Sequence, residues 1–225
     1  MNRLFNVTID PGHGGYDPGA VGNGLQEKDI TLVIALQLVP LLVFNGIGVA
    51  LTRTGDYAPG HFENDINAEL KERVRISDAY GSNLFVSIHI NAGGGTGEEE
   101  LVSAMGGNAE KAANKILPYL LSAGGWSNRG VKTQNVLVLE DTICPAVLTE
   151  NGFIDSVSDT NKLKDPVFIH GLVVAHAKGI CDYFGIGYRE QSAAPVVVNP
   201  VASPAVDKNT QAINLMTQAI NVLRG

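Results

Sequence analysis

Residues 84–92 read LFVSIHINA, and this stretch decides the fold that the rest of the sequence predicts. Its branched and aromatic side chains are typical of a buried β-strand. Alternation along a strand places Ser87, His89 and Asn91 on one face, with isoleucines on the other. Three consecutive glycines follow, so the strand ends soon after an imidazole that is placed to face a cleft.

Working outward from this strand, short β-like runs alternate with helical stretches. Strands separated by helices are typical of βαβ units, so the pattern predicts an α/β fold with a mainly parallel twisted sheet and helices on both faces. A proline at position 40 is expected to bend the first helix. The predicted strands are 4–9, 49–52, 84–90, 136–139 and 146–150, and the predicted helices are 28–45, 64–80, 108–122 and 166–184.

The character of the sequence changes near its C-terminal end. We expect a catalytic domain over residues 1–189, a Pro- and Ser-containing linker over 190–207, and an amphipathic helix over 208–225. Apolar residues in that last segment recur at spacings of three and four, which predicts self-association through the C-terminal helix or docking on the catalytic domain. The seam consists of Ile213, Met216, Ile220 and Leu223.

Composition excludes several classes of protein. The formal net charge of the 225 residues is −7 and no basic stripe is visible, so the sequence predicts no nucleic-acid partner. The apolar stretch 30–44 is too short for a membrane span. Cys144 and Cys181 are expected to be reduced, because two cysteines do not make a disulfide framework.

Candidate metal ligands stand in three separate segments. His13 lies among glycines just after the first predicted strand, Glu27 stands at the start of a helix, and His89 lies near the end of the strand quoted above. Two histidines and one carboxylate are a known ligand set for catalytic zinc. The residues alone leave a second interpretation open, in which these are ordinary loop or core histidines.

A second carboxylate ends a predicted strand. Glu150 follows the apolar run 146–149, and a glutamate there is costly unless it is paired, functional or facing water. The sequence by itself leaves these alternatives open.

Six motifs occur together in an order that resembles the zinc-dependent N-acetylmuramoyl-L-alanine amidase family of the Amidase_3 type, which includes phage endolysins and bacterial autolysins. The resemblance covers roughly residues 4–186. The motifs are IDPGHGG at 9–15, EK at 27–28, LTRT at 51–54, FVSIHINA at 85–92, RGVK at 129–132 and VLTENGFI at 147–154.

This resemblance implies a function and roles for four residues. It implies that His13, Glu27 and His89 bind Zn²⁺ and that Glu150 is the catalytic acid/base. The reaction would be hydrolysis, by a zinc-activated water, of the amide between N-acetylmuramic acid and L-alanine in peptidoglycan. Two alternatives are a zinc peptidase that cuts within the stem peptide and a catalytically silent wall-binding module.

The resemblance also carries an expectation about where the protein acts. A motif-rich strand begins within a few residues of Met1, which predicts no signal peptide. We therefore expect synthesis in the cytoplasm and action on the cell wall after release, by phage lysis or by mother-cell lysis.

Other polar residues receive simpler predictions. Asp10 either orients a metal ligand or only ends its strand, and Asn91 either contacts substrate or caps its strand. Arg53 and Arg73 are predicted to be structural ion-pair partners. The remaining predictions are ordinary helix positions for His170 and His176, a loop position for His61, and a solvated loop or strand start at residues 98–100.

Overall fold

The computed structural model describes residues 5–62 and 65–190, and these contain a mixed sheet surrounded by helices. Residues 191–225, which contain all but the first residue of the predicted linker and the whole predicted C-terminal helix, lie outside the described residues. The strands are β1 (Asn6–Pro11), β2 (Val21–Gly22), β3 (Leu25–Gln26), β4 (Gly48–Leu51), β5 (Leu84–Asn91), β6 (Glu98–Val102), β7 (Asn128–Thr133) and β8 (Ala146–Phe153). The helices are α1 (Glu27–Phe44), α2 (Ile66–Tyr80), α3 (Asn108–Gly124), α4 (Leu137–Glu140), α5 (Val157–Leu163) and α6 (Pro166–Tyr183), with a 3₁₀ turn at Pro59–His61.

Six of the strands form one sheet in the order β4-β1-β5-β8-β6-β7. Strands β4, β1, β5 and β8 run parallel, whereas β6 is antiparallel to β8 and β7 is parallel to β6. The prediction of a mainly parallel sheet is therefore confirmed. Strands β2 and β3 form a separate two-stranded hairpin.

Helices cover both faces of the sheet, as the alternating pattern predicted. On one face, Ile88 and Val147 of the sheet belong to a buried cluster with Leu38 of α1, Ile116 of α3 and Ile180 of α6. Burial of each such side chain contributes about 1.5–3 kcal/mol relative to exposure. This face holds the larger core.

The opposite face is covered by α2 and α4. Phe85 and Leu148 of the sheet pack there with Val74 of α2 and Val138 of α4 in a smaller buried cluster. Helix α2 begins after Asp65, whose carboxylate accepts from the Ala68 amide at 3.0 Å and so satisfies one of the free amides of the first turn.

Two predictions about these elements need correction, and one strand of the sheet was missed. Residues 136–139 are not a strand; the short helix Leu137–Glu140 occupies this place, since a run of four apolar residues has no decisive period. Residues 98–100 are indeed the start of a strand, but they are buried and not solvated. Strand β7 was not predicted at all.

Other predictions concern the helices and the cysteines. Helix α1 includes Pro40 and continues to Phe44. Both cysteines, Cys144 and Cys181, are free, as expected. Among the helices that the structure describes, none combines the length and the apolar character that crossing a bilayer requires.

Candidate metal centre

The loop after β1 brings His13 to the carboxyl ends of the parallel strands, where ligand sites form in open α/β sheets. His13 has a φ of 61°, which is uncommon for a residue with a side chain. Its neighbours must be small. A Cβ on Gly12 would overlap the His89 imidazole, and a Cβ on Gly19 would lie 2.6 Å from both Glu27 Oε2 and His13 Cδ2. The glycines therefore allow the two imidazoles and the carboxylate to approach each other.

Glu27 stands between the two histidines. One carboxylate oxygen, Oε1, lies 2.9 Å from His89 Nδ1, and the other, Oε2, lies 3.1 Å from His13 Nε2. The same oxygens accept from the backbone amides of Ile90 at 2.9 Å and Ala20 at 2.8 Å. The side chain of Glu27 is thus buried and held in one orientation as the first residue of α1.

The positions of these three side chains fit a metal ion. One atom from each of His13, Glu27 and His89 can be chosen so that all lie within 4.8 Å of one another. A tetrahedral zinc ion with bonds of about 2.1 Å holds its ligand atoms about 3.4 Å apart, which small side-chain movements can reach from here.

Asp17 fixes the orientation of His13. Its Oδ2 lies 2.7 Å from His13 Nδ1, and its Oδ1 accepts from the Gly19 amide at 2.9 Å. A carboxylate on one ring nitrogen favours a proton there, so the other nitrogen, Nε2, is the one that can give its lone pair to a metal ion. The sequence prediction missed Asp17, and its only signal was a carboxylate four residues after a histidine in a glycine-rich loop.

The electrostatics of the cluster favour a bound cation. Burial alone would raise the pKa of Glu27, but hydrogen bonds and charge interactions with both histidines hold that pKa well below its usual range. Burial would lower the pKa of His13, yet Glu27 and Asp17 raise it to about 9. Without a metal ion, a proton on His13 balances the carboxylates; a divalent cation can take the same role.

Glu150 lies beside this cluster on β8. It is paired in register with His89 of β5 and, on its other side, with Glu99 of β6. Burial, with the negative charges of Glu27 and Glu99, raises its pKa to about 8. Its Oε2 atom is buried and has no hydrogen-bond partner among the described residues. This carboxyl can therefore hold and release a proton near neutral pH.

Asp10, Arg53 and Arg73 belong to the hydrogen-bond network around the loop that carries His13. Asp10 bonds Arg73 Nη1 at 2.6 Å and Ser87 Oγ at 2.6 Å, so it neither contacts a candidate ligand nor merely ends its strand. Arg73 also pairs with Glu69, as predicted for an ion-pair residue, and donates to the His13 carbonyl at 2.8 Å.

Arg53 acts differently from the prediction. Its guanidinium donates to the backbone carbonyls of Pro11, Gly12 and Lys28 at 2.8–3.0 Å. It therefore clamps the loop by its carbonyl groups and is not chiefly an ion-pair partner.

The other polar residues lie outside the cluster of ligands. Asn91 donates to Glu99 Oε1 at 2.8 Å and accepts from the Ala92 amide at 2.7 Å. His176 is fully buried in α6, 3.1 Å from Thr149 Oγ1, and His170 is another residue of that helix. His61 ends the 3₁₀ turn and stacks on Tyr57.

Comparisons with known proteins identify the family of the chain. Residues 7–182 match the N-acetylmuramoyl-L-alanine amidase family. The chain is 42% identical over 186 residues to the sporulation-specific N-acetylmuramoyl-L-alanine amidase of Bacillus subtilis (strain 168), a match that covers 81% of this chain and 69% of that protein. It is 35% identical over 203 residues to an endolysin of Bacillus phage SPP1, covering 87% of this chain and 71% of the endolysin.

A solved structure has the same fold. The catalytic domain of CwlV, an N-acetylmuramoyl-L-alanine amidase from Bacillus (Paenibacillus) polymyxa var. colistinus, superposes with a TM-score of 0.74 at 32% identity. The match covers 82% of this chain and all of that domain (100%).

Proposed function

The chain belongs to the N-acetylmuramoyl-L-alanine amidase family, and we propose that it works with a zinc ion held by His13, Glu27 and His89 and with Glu150 as general acid/base. The reaction of this family is hydrolysis of the amide between N-acetylmuramic acid and L-alanine in peptidoglycan. The observation that carries this proposal is the convergence of three ligand atoms within 4.8 Å beside a carboxyl with a free buried oxygen.

The ligand set supports zinc in particular. Two imidazoles and one carboxylate suit zinc, whereas an all-oxygen set would favour calcium or magnesium. When bound, zinc would polarise the scissile carbonyl and lower the pKa of a water towards about 7. Three protein ligands leave one position of a tetrahedral ion for this chemistry.

Glu150 is suited to move the proton. The leaving group is the amine of L-alanine, which departs only when it is protonated. A carboxylate at position 150 can accept a proton from water, and the resulting carboxylic acid can deliver it to the nitrogen. The rise of the Glu150 pKa to about 8 makes that acid form stable at neutral pH while no zinc is bound.

Removal of one ligand tests the zinc proposal directly. We expect purified protein to contain a single zinc ion per chain and His89→Ala to lose most of it, because the variant keeps only two ligands. The matched control is His170→Ala, which removes an imidazole of α6 outside the cluster and should keep full zinc content. Elemental analysis of both variants decides the matter: full zinc in His89→Ala would remove His89 from the ligand set.

The products separate this function from the two alternatives. An amidase releases intact stem peptides that begin with L-alanine. A zinc peptidase would leave part of the stem on the muramic acid, and a silent wall-binding module would release nothing. Mass spectrometry of digested muropeptides distinguishes the three outcomes. Action on the wall after release from the cell, and self-association through residues 208–225, remain predictions.

A further inference from the structure

A pair of cations on the strand at the edge of the sheet contacts Glu99, the carboxylate opposite the proposed catalytic carboxyl. Arg129 and Lys132 of β7 both contact one atom, Glu99 Oε2, at 2.6 and 2.5 Å. Glu99 is directly opposite Glu150 in the antiparallel β6–β8 pair, and directly opposed residues share a face of the sheet. The cation pair therefore lies on the face that carries Glu150.

Two cations share a single carboxylate, so one positive charge is left over. The other oxygen of Glu99 is occupied by Asn91 at 2.8 Å. Both cationic side chains remain open to solvent, with 34% of Arg129 and 44% of Lys132 exposed. In a chain with a formal net charge of −7, this local excess of positive charge stands out as a binding surface for an anion.

Arg129 is held in place before any ligand arrives. Its Nε bonds Glu99, and its guanidinium carbon lies 4.8 Å from the centre of the Phe153 ring. Its two terminal nitrogens make no hydrogen bond to the described residues, so the fork that recognises carboxylates is free. Because the side chain is already ordered, binding costs little conformational entropy.

From this arrangement we propose that Arg129 and Lys132 bind a carboxylate of the stem peptide, namely the α-carboxylate of the γ-linked D-glutamate that follows L-alanine. The inference rests on the proposed function, because it takes the substrate from there. It makes the two cations specificity residues for stem peptides whose second residue carries a free carboxylate and not an amide.

The distances agree with the second residue of the stem. Strand β7 is two strand spacings from β8, about 10 Å. One extended residue advances the chain by about 3.5 Å. A carboxylate one residue beyond the scissile amide therefore falls within reach of an arginine side chain on β7, whereas the scissile nitrogen itself stays beside β8.

A pair of twin substrates tests the proposal. The first is N-acetylmuramoyl-L-Ala-γ-D-Glu-L-Lys with a C-terminal amide, so that the glutamate carries its only peptide carboxylate. The second is the same molecule with that α-carboxylate amidated. We expect kcat/KM to favour the free acid about tenfold to hundredfold, the usual value of a hydrogen bond to a charged group. The effect should fall mainly on KM.

Variants then assign the preference to the cations. Arg129→Gln and Lys132→Gln should each lower kcat/KM for the free acid and leave the amidated twin nearly unchanged, so that the ratio moves towards one. The matched control is Lys115→Gln, an exposed lysine of α3 that pairs with Asp182, and its ratio should equal that of the parent. A parent ratio near one overturns the proposal, as do variants that lose both twins equally.

Failure of this inference is distinguishable from failure of the proposed function. If the zinc proposal is wrong, zinc content and ligand variants show it whatever the ratio between the twins. If neither small twin is hydrolysed, the released stem peptide and its amidated form can compete with wall hydrolysis in a turbidity assay. Stronger inhibition by the free acid, abolished by Arg129→Gln, supports the subsite; equal inhibition overturns it.

Discussion

Neighbouring carboxyl groups differ in their hydrogen bonding on the two faces of the β6–β8 pair. On the face with the metal centre, Glu99 bonds Asn91, Arg129 and Lys132. On the other face, Glu98 and Glu100 are fully buried, and all four of their carboxylate oxygens lack a hydrogen-bond partner among the described residues. Three consecutive glutamates thus have two environments, because successive side chains of a strand point to opposite faces.

The buried face contains further polar groups. Asn151 is paired in register with Glu98, and Thr149 with Glu100. The Asn151 Oδ1 atom also lacks a partner within residues 5–62 and 65–190. Burial raises the pKa of both glutamates well above the usual range, and their mutual repulsion raises that of Glu98 further. Both carboxyl groups therefore keep their protons to higher pH than an exposed glutamate does.

The comparison teaches that a raised carboxyl pKa does not by itself mark a catalytic group. Burial raises the pKa of Glu150 on one face and of Glu98 and Glu100 on the other. The difference is in what each carboxyl can reach. Glu150 is beside the candidate metal ligands, whereas the other two are covered by the helices on the far side of the sheet. A raised carboxyl pKa can serve catalysis only where the carboxyl reaches a reacting group.

The largest expected effect follows from removing the proton carrier on the site face. Glu150→Gln keeps the size of the side chain but cannot transfer a proton, so wall hydrolysis should fall by about 10²–10⁴-fold. Zinc content and thermal stability should stay near those of the parent. The control is Glu140→Gln, an exposed glutamate at the end of α4. If Glu150→Gln hydrolysed walls as fast as the parent, Glu150 would have no more catalytic role than Glu98 and Glu100, and the contrast between the two faces would not hold.

Next in size is the effect of removing the buried acids. A native pKa above the unfolded value of 4.5 means that the folded state binds more protons, so this contribution to stability is complete below pH 4.5 and is lost as pH rises above it. The double variant Glu98→Met, Glu100→Met has no carboxyl group at these positions, so it does not lose stability in this way as the pH rises. We expect it to be more stable than the parent at pH 8 by about 1–3 kcal/mol, the usual cost of a buried polar group without a hydrogen-bond partner, and by less at pH 5.

Denaturant unfolding at several pH values measures this difference. Glu140→Gln, which changes an exposed glutamate of α4, is the control and should follow the parent at every pH. A double variant that is less stable than the parent at pH 8 would mean that the two acids have partners that stabilise them.

His176 offers a smaller and opposite dependence on pH. Burial lowers its pKa from 6.5 to about 4, although its bond to the Leu172 carbonyl opposes the shift. The contribution of His176 to the free energy of unfolding is complete above pH 6.5 and is lost as pH falls towards 4. In this range the unfolded chain binds a proton that the folded chain does not bind. The loss is at most about 3.4 kcal/mol.

The variant His176→Gln isolates the contribution of His176 to the pH dependence of stability. It should unfold with a weaker dependence on pH between 6.5 and 4 than the parent, and His170→Gln should behave like the parent. Equal slopes for His176→Gln and the parent would show that the buried imidazole is charged in the folded state.

The sequence could predict the parts of the molecule in which local pattern and final environment agree. Strand β5 combines a period of two with branched residues, and its histidine stands at the end where parallel strands open into a cleft. The motifs at His13, Glu27 and Glu150 lie at the carboxyl edge of the same sheet or next to it. Their convergence needed the fold, but each position could be singled out from the sequence as a candidate.

The missed parts are those in which tertiary contacts override local composition. Strand β6 begins with three glutamates, which normally indicate solvent, yet the sheet buries them. Strand β7 reads NRGVKT, and its polar residues suit an edge strand as well as a loop. Asp17 gave no periodic signal, because its role depends on a loop conformation in which His13 has a positive φ.

Asp17 provides the smallest expected effect and sharpens the comparison within the site face itself. Its carboxylate is half-buried. Burial would raise its pKa, but the hydrogen bonds from His13 and the Gly19 amide, together with the charge of His13, hold that pKa below the usual range. Asp17→Asn keeps an oxygen that can accept from His13 Nδ1 but removes the charge, and Asp17→Ala removes both. Loss of such a supporting carboxylate usually weakens metal binding by about 10–100-fold. We expect Asp17→Ala to lie near the upper end of that range and Asp17→Asn near the lower end. Competition with a chelator measures the zinc affinity, and Asp182→Asn, at the far end of α6, is the control. If both Asp17 variants bind zinc as the parent does, the backbone of the glycine-rich loop alone orients His13. If both lose the same affinity, the charge of Asp17 matters and its hydrogen bond does not.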